Sequence, residues 1–312
     1  MRECERPRVV AVVGPTAAGK TELAAHLARE RGGEVISVDS RQVFRRLDIG
    51  TAKPSAEIRA AVPHHLLDVV EPDEPFDVAT YRDLARAAEN EIRGRGRPVF
   101  LCGGSGLYLK ALTEGLCPAP PADAAVRAEI AREREERGLV ALHDELGRVD
   151  PDAAARIAPR DGVRITRALE VSRLTGRPLS AWQRDHAFED RPFELLVLVV
   201  SPSVEDLDER IAKRTKQMWD EGLLEETRSV LAAGFSGDLA PLQAIGYREA
   251  QAVLRGELES AEAIERIRIE TRRYAKRQRT WFRRVEGAQW LEGGGRPEAV
   301  RDSVVRFLES GR

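Results

Sequence analysis

The sequence predicts an α/β protein: a parallel sheet flanked by helices, interrupted by an all-helical insertion. Three observations predict it. The apolar, β-branched run Val9–Val13 leads straight into a glycine-rich turn, GPTAAGKT, at Gly14–Thr21. Further short apolar runs alternate with stretches of helical periodicity, the pattern of a buried parallel sheet. Between two of those runs lies a long segment with helical pattern only.

The elements follow in order. Val9–Val13 reads as a buried strand, and Thr21–Arg29 as a helix with Leu23, Ala24 and Leu27 on one face. Glu34–Val38 is a second strand with a polar exit at Asp39. Val99–Cys102 is a third, followed by the glycines of CGGSG. FELLVLVVSPS carries a fourth. A Pro/Ala-rich boundary near Ala119 opens the helical segment, which Pro151, Pro159 and Pro178 punctuate. Residues 1–118 are therefore expected to form the first part of a core, 119–191 a helical insertion, and 192–312 the rest of the core. That last part ends in basic helices. Glu262–Arg284 holds nine basic residues against three acidic ones, with Tyr274, Trp281 and Phe282 among them.

Bulk numbers exclude some classes. With 50 basic and 52 acidic residues, net charge does not announce a nucleic-acid binder, so a basic footprint must be local. The three cysteines, Cys4, Cys102 and Cys117, form no C-x-x-C pair, which excludes a zinc ribbon and fits a reducing cytosol. MRECERPRVV carries no apolar leader, and LLVLVV at Leu195–Val200 is too short to span a bilayer. The chain is expected to be cytoplasmic, without membrane contact, and monomeric.

Gly-x-x-x-x-Gly-Lys-Thr between a strand and a helix is a phosphate cradle, which makes the core P-loop NTPase-like. Gly14, Pro15, Thr16, Ala17, Ala18 and Gly19 would form the loop, whose N–H groups turn toward an anion. Lys20 would add a point charge, and Thr21 a hydroxyl for Mg²⁺. A nucleotide hydrolase of this type also carries an acid at the end of another strand. CGGSG and SPS offer none. Asp39 is the acid at a strand end, and strand carboxyl ends line the ligand crevice. It reads equally as a metal ligand, a general base or a helix cap. Arg210 and Arg214 share one helix face, suited to a leaving diphosphate or simply to solvent. The adjacent His64 and His65 are poor metal ligands and read as structural or substrate-contacting. On these residues alone the function stays open, between a P-loop group transferase acting on RNA, a small-molecule kinase, and a non-catalytic RNA-binding module.

The ordered set GPTAAGKT, DSRQVF, DIGTAKP, HHLLD, GGSGLYLKAL, RALEV…TGRPLS, RTKQM…GLLEE, AIGYRE and RYAKRQRTWFR closely resembles the tRNA dimethylallyltransferase (tRNA isopentenyltransferase) family, from Val9 to Trp290. The resemblance implies transfer of a five-carbon group from dimethylallyl diphosphate to N6 of the adenosine 3′ to the anticodon. It points to tRNAs reading codons that begin with U, and N6-isopentenyladenosine is the product. The glycine loop would then grip the prenyl donor rather than split ATP. The implied catalytic set is Asp39, Lys20, Thr21 and Arg214, with Asp39 as base and Mg²⁺ at Thr21. The implied RNA contacts are Asp39, Ser40, Arg41, Gln42, Ser105, Arg127, Arg164, Arg167, Gln243, Gly246, Tyr247, Arg248, Lys276, Arg277 and Gln278. The insertion would clamp the anticodon stem-loop. Phe44 stands where the family usually has Tyr, and Ser105 where Thr is usual. No Cys follows Cys117, so the zinc finger of eukaryotic members has no counterpart. A neighbouring family that prenylates free adenylates shares the N-terminal motifs but would not need the insertion and the basic tail.

Overall fold

A computed structural model describes residues 6–187 and 190–310. Cys4 lies outside the described residues. Six strands form one parallel sheet: β1 (Arg8–Val13), β2 (Glu34–Val38), β3 (His64–His65), β4 (Val99–Gly103), β5 (Glu194–Ser201) and β6 (Gln289–Glu292). Their spatial order is β3-β2-β4-β1-β5-β6. The chain leaves β1 in one direction to reach β2 and β3, and later in the other to reach β5 and β6. The loops at the carboxyl ends diverge there, which opens a crevice beside the glycine loop.

The helices are α1 (Lys20–Arg31), α2 (Ala56–Ala61), α3 (Val78–Gly94), α4 (Gly106–Glu114), α5 (Ala124–Val149), α6 (Pro151–Ala154), α7 (Gly162–Thr175), α8 (Leu179–His186), α9 (Val204–Asp220), α10 (Leu223–Ala232), α11 (Tyr247–Leu254), α12 (Ser260–Phe282) and α13 (Pro297–Glu309). Alternate residues of each inner strand serve opposite layers, as a period of two requires. Val9, Ala11 and Val13 pack with Tyr81 of α3, Leu109 of α4 and Phe282 of α12. Val10 and Val12 pack with Leu23 and Leu27 of α1 and Val300 of α13. Both faces are covered, which is why the strands read as unbroken apolar runs.

The chain divides into two compact units, Met1–Thr113 with Pro192–Arg312, and Glu114–Arg191. The second is all helix among its described residues. Its core joins Ile130, Leu142 and Leu146 of α5 to Ile165, Ala168 and Leu169 of α7. Helix α5 is not continuous, because Gly138 adopts φ 78° and ψ 165°. A third core in the first unit holds Val43, Phe44 and Leu47 against Leu223 and Val230 of α10 and Tyr247 of α11.

Strands β3 and β6 carry no signal in the sequence. Each is a short sheet edge, and β6 has exposed Gln289, Trp290 and Glu292. Neither buries enough alternating surface to show a period. Pairing with β2 also assigns the two histidines. His65 Nε2 bonds Glu34 Oε2 at 2.6 Å, and His64 Nδ1 lies 2.8 Å from the Val62 carbonyl.

Candidate active site

The phosphate loop is shaped by a close approach. A Cβ on Gly14 would sit 2.4 Å from the Val200 carbonyl oxygen, so no larger residue fits between β1 and β5. Its φ of 142° also falls where side chains are strained. The turn then delivers Lys20 and Thr21 as the first residues of α1. Lys20 Nζ donates to the Pro15 carbonyl at 2.6 Å. Burial pulls its pKa down to about 8, against the opposing pull of nearby anionic groups. Such an ammonium is ready to exchange one carbonyl for a stronger anionic partner.

Thr16 departs from the expectation that all the loop amides face an anion. Its N–H donates to Gln278 Oε1 at 2.8 Å, and Gln278 Nε2 donates to the Gly104 carbonyl at 2.9 Å. Gln278 is buried at 6% exposure. It ties α12 to both glycine turns and also lines the cavity described below. Arg210 braces the loop from the other side, with Nη1 donating to the Ala18 carbonyl at 3.1 Å.

Asp39 ends β2 and serves in part as a cap. Its Oδ1 accepts from Arg41 N at 2.8 Å and Gln42 N at 3.3 Å. Burial raises its carboxyl above the ordinary range, while those two amides and Lys20 oppose the rise. Ser40 N donates to Ser105 Oγ at 3.1 Å, so the hydroxyl retained at Ser105 fixes the residue after Asp39. Gln42 spans the site. Its Oε1 accepts from Ser37 Oγ at 3.0 Å, and its Nε2 donates to the Thr51 and Ala52 carbonyls at 3.3 and 3.1 Å.

These pieces surround one cavity of about 400 Å³. Lys20, Arg41, Arg214 and Arg277 line it, and Asp39 is the sole carboxylate among its lining residues. Ile211, Met218, Ile245 and Ile267 add apolar wall. Four cations against one acid suit an anionic ligand, and the apolar side suits a hydrocarbon beside it. Arg214 is largely buried, with its pKa lowered by burial and supported by Glu22 and Asp39. Tyr274 contacts Ser105 and lies under Arg277, whose guanidinium is 5.6 Å from the ring centre. Gln243 also reaches the cavity.

Other expected contacts lie elsewhere. Tyr247 is fully buried, donates to Glu226 Oε1 at 2.6 Å and packs in the third core. The fold thus places this side chain in a core rather than on an open surface. Gly246 N donates to Glu249 Oε2 at 2.8 Å, which caps α11, and Arg248 pairs with Glu249. Lys276 is exposed and borders a separate groove with Leu207, Arg279 and Arg283. In the second unit, Arg127 and Arg167 converge on fully buried Glu170, at 2.8 and 2.7 Å. Arg164 instead projects outward, paired with Asp161 at 3.5 Å. The sequence offered no sign of the bracing by Gln278 and Arg210, since both come from elements remote in the chain.

The residues fit a lightly held Mg²⁺. The described residues include no group of three acidic, histidine or cysteine ligands. Mg²⁺ that travels with phosphates needs few protein ligands and keeps its waters. Thr21, with its hydroxyl, and Asp39 both line the cavity and could supply such donors.

Comparison with known proteins converges on one family. The IPP transferase profile matches residues 42–285, and the Isopentenyl transferase profile matches residues 7–67. The chain is 47% identical over 303 residues to the tRNA dimethylallyltransferase of Geobacter sulfurreducens, covering 97% of each. It is 49% identical over 289 residues to that of Myxococcus xanthus, covering 92% of this chain and 93% of the other. Among solved structures, it resembles the tRNA isopentenylpyrophosphate transferase of Bacillus halodurans at TM-score 0.72 and 39% identity, covering 98% of both chains. It resembles a eukaryotic dimethylallyltransferase acting on tRNA at TM-score 0.83 and 25% identity, covering 97% of this chain and 80% of that one. With matches of that length and identity behind the loop, the lone acid and the brace from α12, the chain belongs to the tRNA dimethylallyltransferase family of IPP transferases.

Proposed function

We propose that this enzyme transfers the dimethylallyl group of dimethylallyl diphosphate to N6 of the adenosine 3′ to the anticodon in tRNAs reading codons that begin with U. The observation that carries the reading is the cavity's inventory: four cations and a glycine cradle, an apolar wall, and a single carboxylate. Membership of the family supports tRNA prenylation as the reaction.

The chemistry follows from charge. As the allylic carbon–oxygen bond breaks, negative charge grows on the diphosphate. Lys20, Arg214 and the loop amides are placed to stabilise it, and a fixed polar site does so without reorganising. Mg²⁺ held at Thr21 would neutralise part of that charge. Adenine N6 is a weak nucleophile because its lone pair is delocalised into the ring. Asp39 accepts its proton as the carbon–nitrogen bond forms. A raised carboxyl pKa makes Asp39 a better acceptor. Its capping bonds use Oδ1 alone, which leaves Oδ2 for the base. A stacked adenine cannot enter such a cavity, so the nucleotide is extruded into it.

For RNA, the proposed contacts are Ser40, Arg41, Gln42 and Ser105 at the extruded base, Gln243, Gly246 and Arg248 beside it, and Lys276 and Arg277 on the backbone. Arg164, Arg127 and Arg167 serve from the helical unit, Arg164 beside Asp161 and the other two on Glu170. Anticodon loops offer splayed bases to such a surface. Removing Lys276 and Arg277 tests this: tRNA affinity should fall and its salt dependence should flatten by about one phosphate contact per residue. An unchanged salt slope would remove both residues from the interface.

A further inference from the structure

We infer that Glu226 of α10, which does not line the cavity, is a positioning residue for the substrate-facing loop Asp48–Ala52. Its carboxylate is filled by four donors. Oε2 accepts from Asp48 N at 2.9 Å and Ile49 N at 2.8 Å. Oε1 accepts from Gly50 N at 3.2 Å and the Tyr247 hydroxyl at 2.6 Å. Three successive amides of one loop thus converge on a single side chain, a backbone nest closed by a carboxylate.

The loop is also pressed into place. A Cβ on Gly50 would meet the Tyr247 ring at 2.3 Å, so only glycine allows the backbone to lie on that ring. What the loop does next links it to the chemistry. Gly50, Thr51 and Ala52 line the cavity. The Thr51 and Ala52 carbonyls hold the Gln42 amide, and Gln42 N is one of the two donors to Asp39. Glu226 therefore sets one cavity wall and, through Gln42, the orientation of the carboxylate. The inference rests on the prenyl-transfer reading only for its assay.

The test is steady-state prenylation of unmodified tRNA by Glu226→Gln and Tyr247→Phe, alongside thermal unfolding. In Glu226→Gln one oxygen becomes an amide that can only donate, facing donors. It should lose at least tenfold in kcat, with KM for the prenyl donor moved less, at a temperature where it stays folded. Tyr247→Phe keeps the ring on Gly50 and removes one of four bonds, so it should show a smaller loss in the same parameter. Glu226→Asp, which keeps the charge, should recover part of the kcat. A Glu226→Gln protein with lowered melting temperature but unchanged kcat would overturn the inference. So would a kcat loss that Glu226→Asp and Tyr247→Phe fail to grade, if both variants are folded. Absence of transfer by the unaltered enzyme would instead overturn the prenyl-transfer reading.

Discussion

Gln278, near the end of α12, accepts the Thr16 amide at 2.8 Å and so couples the basic C-terminal helix to the phosphate loop. The helix proposed to touch RNA and the loop proposed to hold the donor are thus one mechanical piece. Two residues separated by most of the chain share a half-buried bond.

Replacing Gln278 by Leu should act on both. The Gly104 carbonyl would lose its buried partner at a cost of about 1–3 kcal/mol, and the half-buried Thr16 N would lose its tie to α12. Melting temperature should fall, and KM for the prenyl donor should rise roughly tenfold. A stable variant with unaltered donor KM would mean that the bond does not order the loop.

Asp39 and Lys20 predict the pH profile. Asp39 works as a base only when ionised, and burial raises its pKa, so the acid limb of kcat/KM should lie above the ordinary carboxylate value of 3.8. Lys20 holds the donor only when protonated, and its pKa is pulled to about 8, so donor binding should weaken as pH rises through that value. Asp39→Asn should lose roughly 10²–10⁴ in turnover while still binding tRNA. Lys20→Arg should move the alkaline limb out of range. A limb near pH 8 that survives Lys20→Arg would assign it to another group.

Glu34 predicts acid stability. It is buried at 2% exposure, and its neighbours Arg95, Arg97 and His65 overcome the burial to hold its pKa down to about 2, from an ordinary 4.5. A depressed carboxylate stabilises the fold above the unfolded value, so this contribution is complete above about pH 4.5 and fades as pH falls toward 2. Glu34→Gln should cost about 3 kcal/mol at pH 7. Its penalty should shrink by pH 3. Urea unfolding at the two pH values checks both statements, and an equal penalty at each would contradict the assignment.

The helical unit predicts a split between two arginines. Arg127 shares buried Glu170 with Arg167, whereas Arg164 is 65% exposed. Arg127→Ala should lower melting temperature and tRNA affinity together. Arg164→Ala should lower affinity alone. Fluorescence anisotropy with a tRNA stem-loop, beside a melting curve, separates the two.

The sheet was legible because Val9–Val13 and Val197–Val200 are apolar and buried throughout, and Glu34–Val38 is buried with Val35, Ile36 and Val38 at its centre. The edges β3 and β6 were not, since two half-buried residues and four largely exposed ones carry no period. The glycine loop and Asp39 were legible for a local reason: strand, turn and acid are contiguous. The sequence could not tell base from cap at Asp39, and in the fold the same carboxylate caps through one oxygen and faces the cavity. Tyr247 and Gln278 read as ligand contacts because they are polar side chains in a motif, whereas in the fold each also bonds a partner distant in the chain, Glu226 and Gly104. Tertiary hydrogen bonds of that kind have no sequence period.

The most direct test is a donor-competition assay with the purified protein, Mg²⁺, unmodified tRNA and radiolabelled dimethylallyl diphosphate, with ATP or AMP in parallel. The account predicts label on tRNA, at N6 of the adenosine beside the anticodon, at a rate indifferent to ATP. Label on AMP alone, or ATP consumption without prenyl transfer, would contradict it.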